Sequence, residues 1–347
     1  MKKVLRLACR LVCFLAVITI VTTTLAQDAI VEVVLDGLNN PSGVAIQPET
    51  GHVFVADSGA LRVIRVVDGE AKDVITDFPR DIYGKGPFYD IGPLGLLFLD
   101  KDTLVVGGGG LPDGEEMLRV FKVPAAGEDP IKADQLHGNA KVLGVSDDVP
   151  GEGNFYAMAK GTKGVYVTCN GDDEKGWVSL ATLEEDNQLK DFNRSIATKE
   201  AIGVDAPVAI TISPDNHIVV GQMGETSEDP DSQLTFYNED RQKLDNFELR
   251  IRDITALAYS PIRARLYCTD FNWADTDNGG LYKIVKANNR MGCKSKLIVN
   301  LKKPTALVFN KDGDAYSTLA GTTSEGTKQP DGQLVVIRKL DVEPQKK

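Results

Sequence analysis

Histidine and cysteine are scarce in this chain, and each scarcity removes a class of chemistry. Only His52, His137 and His217 occur in 347 residues, and no zinc-ligand spacing links them to one another or to cysteine. Two of the five cysteines fall in the first 26 residues, leaving Cys169, Cys268 and Cys293. An odd, sparse set is not a disulfide framework, and a chain of this length buries a core without covalent staples, so these three read as buried, inert thiols. Clustered lysine and arginine are missing as well, which excludes nucleic acid and anionic membrane surfaces as partners. There is no Gly-x-Ser-x-Gly elbow and no phosphate loop. Gly107-Gly-Gly-Gly110 follows a strand, but Pro112 and the acids after it oppose a phosphate-binding helix. Helical periodicity is nearly absent, apart from a short polar stretch over residues 184–189.

The one long apolar run lies at the start. Lys2, Lys3, Arg6 and Arg10 precede an apolar segment over residues 11–21, and Thr24-Leu25-Ala26 sets small residues where a signal peptidase inspects them. About 20 apolar residues are needed to span a bilayer, so residues 1–26 read as a cleaved signal peptide, cut between Ala26 and Gln27. This predicts a secreted or periplasmic protein with no membrane span. The first 26 residues hold four of the 39 Lys and Arg and none of the 50 Asp and Glu, so the remainder carries 35 bases against 50 acids, a net charge of −15. Such acidity serves solubility, or attracts metal cations and basic partners.

What the chain does have is a repeat. Six segments share one frame, often opening on proline: Pro41-Ser-Gly-Val-Ala-Ile, Pro93-Leu-Gly-Leu-Leu-Phe, Phe155-Tyr-Ala-Met-Ala-Lys, Pro207-Val-Ala-Ile-Thr-Ile, Ile254-Thr-Ala-Leu-Ala-Tyr and Pro304-Thr-Ala-Leu-Val-Phe. Their third position is always small (Gly43, Gly95, Ala157, Ala209, Ala256, Ala306), and their starts lie 52, 62, 52, 47 and 50 residues apart. Each is followed by a turn rich in Gly, Asn or Asp, a second apolar strand, a longer polar loop and a third strand. Strand units at this period predict an all-β, six-bladed β-propeller over residues 27–341, with 342–347 a short polar tail. The small residues belong on the innermost strands, which converge on a central channel. The last unit has only three strands, and residues 30–35 form an unpaired one, so the N-terminal strand is expected to complete the last blade and close the ring.

The first unit, Leu38-Asn-Asn-Pro41-Ser-Gly-Val-Ala-Ile through Gly51-His-Val-Phe-Val-Ala-Asp57-Ser-Gly59-Ala-Leu-Arg62-Val, resembles the NHL repeat. Later units keep the frame and lose the Ala-Asp-Ser-Gly element. NHL-type propellers resemble gluconolactonase-like and quinoprotein dehydrogenase-like propellers in fold, so the resemblance implies an architecture and selects no activity. In the gluconolactonase-like group, carboxylates and amides near the starts of the inner strands hold a divalent metal. The matching positions here are Ser42, Leu94, Tyr156, Val208, Thr255 and Thr305, with Asn154 and Asp205 nearby, and they do not supply the oxygen ligands a hard cation needs. The quinoprotein dehydrogenases use a histidine base and several arginines. Here His52 and His217 fall in turns on the far face, and His137 is the remaining candidate.

Loops after the second strands and loops leading into the first share one face, which collects the long acidic connections. Residues 80–93 are the most distinctive of these: Tyr83, Lys85, Tyr89 and Asp90 sit among glycines and suit a sugar or aromatic ligand, or else plug the channel. Asp57, Asn154, Asn170, Arg252, Asp270 and Trp273 complete the candidate set. Asp275 and Asp277 form a weak calcium candidate without the terminal bidentate Glu of a high-affinity loop. Two functions are open. The first is a monomeric binding or interaction module that takes a small molecule, glycan or protein and needs no cofactor. The alternative is a propeller enzyme, a lactonase-type hydrolase or sugar oxidoreductase, with its site at the channel mouth.

Overall fold

Each of the six repeats folds into an antiparallel sheet, and the sheets stand around a central axis. The computed structural model describes residues 29–84, 88–146, 148–226, 230–286, 292–322 and 329–340. The chain is a six-bladed β-propeller. Blade 1 is Pro41–Ile46, Val53–Asp57, Arg62–Val67 and Glu70–Thr76, written from the axis outward. Blade 2 opens with Pro93–Phe98, Thr103–Gly108 and Leu118–Lys122. Blade 3 is Met158–Gly161, Gly164–Thr168, Trp177–Leu183 and Leu189–Ala197. Blade 4 runs through Pro207–Ile212, Ile218–Gln222, Gln233–Tyr237 and Lys243–Glu248, and blade 5 through Ile254–Tyr259, Leu266–Asp270, Gly280–Lys286 and Cys293–Asn300. Blade 6 takes Pro304–Phe309, Ala315–Leu319 and Gly332–Arg338 from the end of the chain and Ile30–Leu38 from its beginning. That last pairing sets Ile30 against Arg338 and Val33 against Val335, so the ring is closed by strand hydrogen bonds between the two ends of the chain.

The reason for near-continuous apolar strands is visible in the packing. Apolar layers fill all six gaps between neighbouring blades. Along Val53–Asp57, Phe54 and Ala56 face blade 2 while Val53 and Val55 face blade 6, so the period-2 alternation sends every residue into a buried layer. Phe54 meets Phe98 of blade 2 edge to face, at 4.9 Å between ring centres. Cys169 and Cys268 lie inside two of these layers, where burial pushes both thiols up and leaves them protonated and inert.

The inner ring is held by close approach and by hydroxyl clasps. A Cβ on Gly43 would lie 2.1 Å from the Leu94 carbonyl oxygen, and one on Gly95 would lie 2.6 Å from that of Tyr156. Only a missing or very small side chain lets adjacent inner strands come this close. Ser42 Oγ donates to the Pro93 carbonyl, Thr255 Oγ1 to that of Pro304, and Thr305 Oγ1 to that of Pro41, at 3.1, 2.7 and 2.7 Å, each bond joining one blade to the next. Thr305→Val keeps the shape and removes the donor, leaving the Pro41 carbonyl without its side-chain partner. Urea unfolding should show a loss of about 1–2 kcal/mol.

Two details differ from the sequence reading. Among the described residues blade 2 has no fourth strand. The connection after it instead lends Ile131–Lys132 to the outer edge of blade 1 as a parallel strand, then returns so that Leu118 and Lys141 exchange backbone hydrogen bonds. The 62-residue repeat spacing is this detour. The stretch of helical period over 184–189 is a hairpin turn, in which the Glu184 N–H donates to the Gln188 carbonyl and Asn187 sits at φ 65°. The stretch includes Asp186 and Asn187, which favour turns over helix, and the flanking strands of blade 3 pair across it and dictate a hairpin. The helix that does form is Thr198–Ile202, ended by Gly203 at φ 79°.

Candidate functional site

One mouth of the central channel holds a cavity of about 90 Å3. Its floor contains the six matched positions at the starts of the inner strands: Ser42, Leu94, Tyr156, Val208, Thr255 and Thr305. Tyr156 reaches across from blade 3 to blade 6, where its Oη donates to the Thr305 carbonyl at 2.7 Å, a bar across the channel axis. The walls come from the loop-bearing face. Asp81–Tyr83 pairs antiparallel with Tyr89–Ile91 in a two-stranded hairpin between blades 1 and 2. Opposite it, the loop after the second strand of blade 5 presents Phe271 and Trp273.

These aromatics form a continuous surface. Tyr89 meets Trp273 edge to face at 5.9 Å, and Trp273 lies 4.4 Å from Phe271 in a tilted stack. Lys303 Nζ sits 5.8 Å from the centre of the Tyr89 ring and donates to the Gly321 carbonyl. The hairpin is thus both plug and wall: Tyr89 is buried and props Trp273, while Tyr83 and Trp273 remain half-exposed in the cavity. Desolvation raises the phenols of Tyr83, Tyr89 and Tyr156, Tyr89 to about 12, so all three stay protonated hydrogen-bond donors. The amides of Asn154 and Asn170 line the cavity and make no side-chain hydrogen bond among the described residues. Asn40, also in the lining, is committed to the Asp90 carbonyl.

Of the ten sequence candidates, Tyr83, Tyr89, Asn154, Asn170 and Trp273 meet in this cavity. The acids do not. Asp57 is fully buried and accepts from the Asn39 N–H and from Arg62. Asp270 is equally buried and accepts from the N–H groups of Asp253 and Asn272. Asp90 is paired with Arg80 at 2.6 Å. A carboxylate next to a glycine-rich loop satisfies the backbone donors around it, and these three are spent on scaffold rather than on a ligand. Arg252 gives its carbonyl to Ser232 and lies outside the lining, and Lys85 falls outside the described residues. The calcium candidates are separately engaged: Asp277 is paired with Lys302 at 2.8 Å, and Asp275 accepts from the Asn278 amide. Asp205 is held by Lys199 at 2.7 Å. His137 turns to the Asp186 carbonyl, in a turn of blade 3 on the opposite face.

Sequence reasoning missed Met223 and Phe271 as wall residues, along with Asp253. The first two directly follow the second strands of blades 4 and 5, on the face where the long loops gather. Asp253 lies just behind the wall, 1% exposed. Its Oδ2 accepts the Trp273 N–H at 2.5 Å and its Oδ1 has no hydrogen-bond partner. Burial first, then the nearby Asp270 and Asp231, push its carboxyl up to about 7 against the pull of the Trp273 N–H and Arg252.

With this geometry the chain is a β-propeller with a neutral, aromatic-walled pocket on its axis. Among solved structures it is similar in fold to a PQQ-bound aldose sugar dehydrogenase from Streptomyces coelicolor, with TM-score 0.59 and 14% identity over 90% of this chain and 99% of that one. The apo form of the soluble aldose sugar dehydrogenase from Escherichia coli gives TM-score 0.59 at 11% identity, covering 89% of this chain and 99% of that one. A putative gluconolactonase gives TM-score 0.51 at 11% identity, covering 89% and 91%. At such identities the likeness is one of fold. No protein-family model matches the chain, and no curated protein matches it in sequence.

Proposed function

We propose that this propeller binds a neutral, ring-bearing small molecule at the channel mouth, against the aromatic wall of the pocket. The observation that carries the reading is the lining itself: Tyr83, Phe271 and Trp273 offer ring faces and edges, and Asn154 and Asn170 offer unspent amides. Aromatic surface beside a few fixed polar groups is how compact, weakly charged ligands are oriented. Between the binding module that the sequence put first and the propeller enzyme it kept as alternative, the fold neighbours favour the enzyme, a sugar oxidoreductase or lactonase-type hydrolase. Pyrroloquinoline quinone, the cofactor of one neighbour, does not fit this lining. It carries three carboxylates, and no Arg, Lys or His lines the cavity among the described residues. No step is derived through it. We also propose that the protein works outside the cytoplasm after cleavage at Ala26/Gln27, which N-terminal sequencing of the exported form tests.

The test of the pocket is titration of the mature protein with aldoses, lactones and aromatic glycosides. Intrinsic fluorescence is a direct readout, since the chain has two tryptophans and the other, Trp177, is tied to Asp172 away from the mouth. Trp273→Ala should weaken the ligand that binds by about tenfold or more while leaving the fold intact, because this ring is half-exposed and packs into no inter-blade layer. Unchanged affinity in that variant would remove the pocket from the proposal. Turnover of the bound compound, followed with an artificial electron acceptor or by lactone opening, supports the enzyme; saturable binding without turnover supports the module.

A further inference from the structure

The channel also opens on the opposite face, where it widens into a funnel of about 590 Å3. Every blade lends the closing residues of its inner strand to this funnel, among them Ile46, Phe98, Ile212, Tyr259 and Phe309. The walls continue inward past Met158 and Leu257 to a waist of about 80 Å3 below the Tyr156 bar, so the funnel is separate from the mouth pocket and deep along the axis. Ile262, 53% exposed, extends the apolar rim.

Its charge is out of keeping with the rest of the molecule. The chain has 50 acids and 39 bases, yet among the described residues lining the funnel there is no Asp or Glu, and there are two lysines, Lys160 and Lys311. Lys160 gives one hydrogen bond to the Leu99 carbonyl at 3.3 Å. Lys311 has no hydrogen bond or ion pair among the described residues. An open funnel with aliphatic and aromatic side chains from the strand ends, two ammonium groups and no carboxylate in its described lining complements a molecule that is apolar along its length and anionic at one end. Burial of each methylene contributes about 0.8 kcal/mol, and the volume lies within the ~300–1,000 Å3 range of small-molecule sites.

We propose that this funnel binds a single-chain alkyl carboxylate, its tail along the channel axis and its head at Lys160 and Lys311. Calorimetric titration of the mature protein with dodecanoate, below its micelle concentration, tests this. Saturable one-to-one binding is expected, at least about tenfold tighter than for dodecyltrimethylammonium. The exposed double substitution Lys160→Glu/Lys311→Glu should weaken dodecanoate by about tenfold or more, and Ile212→Glu, in the wall, should abolish it; Trp273→Ala, in the other mouth, should leave it unchanged. Failure of dodecanoate to saturate overturns the proposal, as does equal affinity for the cationic chain or for the charge-reversed variant. A concentration-dependent dimer that Ile212→Glu dissolves would give the funnel to a second copy of the chain instead.

Discussion

Gly43→Val is expected to destabilise the protein by about 4 kcal/mol or more, shown as a large fall in the urea midpoint of unfolding. The added Cβ would sit 2.1 Å from the Leu94 carbonyl oxygen and 3.4 Å from the Ala56 Cβ. The first of these is backbone in the inner strand of the next blade and cannot swing aside as a flexible side chain would. Relief requires blade 2 to move outward, which opens the layer where Phe54, Leu104 and Phe121 pack at zero exposure. It also stretches the Ser42 clasp to Pro93. In a ring the displacement does not stop there, because the remaining blades must close a wider circle through the pairing of Ile30–Leu38 with Gly332–Arg338. A midpoint within about 1 kcal/mol of the parent would mean that the small position is not a steric requirement of the inner ring.

That same requirement is why the scaffold was legible in the sequence. A small residue on each inner strand, a turn after it and apolar runs on two-sided strands are local demands, repeated six times, and each leaves its mark within a few residues. The closing strand was legible by subtraction, from a last unit one strand short. The lending of Ile131–Lys132 to blade 1 was not, because its pairing with the strand at Glu70–Thr76 is set by how a long connection packs.

The candidate site was half legible for a related reason. Loop position brought Tyr83, Tyr89, Asn154, Asn170 and Trp273 into the candidate set, since alternating connections fix which loops share a face. The contacts that finish the pocket join distant parts of the chain: Tyr156 to Thr305, 149 residues apart, and Tyr89 to Trp273. Nothing local announces these. Nor does composition distinguish an acid facing a ligand from one spent on backbone N–H groups, which is how Asp57 and Asp270 entered the candidate set while Asp253 was passed over. The neutral lining that results explains why the fold comparisons and the residues pull apart. The ring is similar in fold to those of two sugar dehydrogenases and a putative gluconolactonase, while the groups at its mouth are aromatic rings and amides.

Asp253→Asn should raise stability at pH 8 by up to about 4 kcal/mol and leave it nearly unchanged at pH 4. In the native protein the carboxyl is raised to about 7 from an ordinary 3.8, burial being the largest cause. Between those values the folded chain holds a proton that the unfolded chain has released. Stability is therefore full below about pH 4, declines as pH rises through the window, and levels off above about pH 7, at about 1.4 kcal/mol per pH unit. Asparagine retains an oxygen to accept the Trp273 N–H and carries no charge at any pH, so it escapes the decline. Unfolding curves of both proteins from pH 4 to 9 check this, and a gap between them that is constant across the range would refute it. Asp253→Ala separates the charge from the hydrogen bond. It also removes the buried charge, but it releases the Trp273 backbone from the bond that fixes it at 2.5 Å. If the ring of Trp273 is a ligand contact, Asp253→Ala should loosen the loop and weaken ligand binding at the mouth with Trp273 still present, whereas Asp253→Asn should bind as the parent does. Stability and binding then respond to different atoms of one side chain: the unpartnered Oδ1 and its charge govern the first, and the Oδ2 that accepts from Trp273 governs the second.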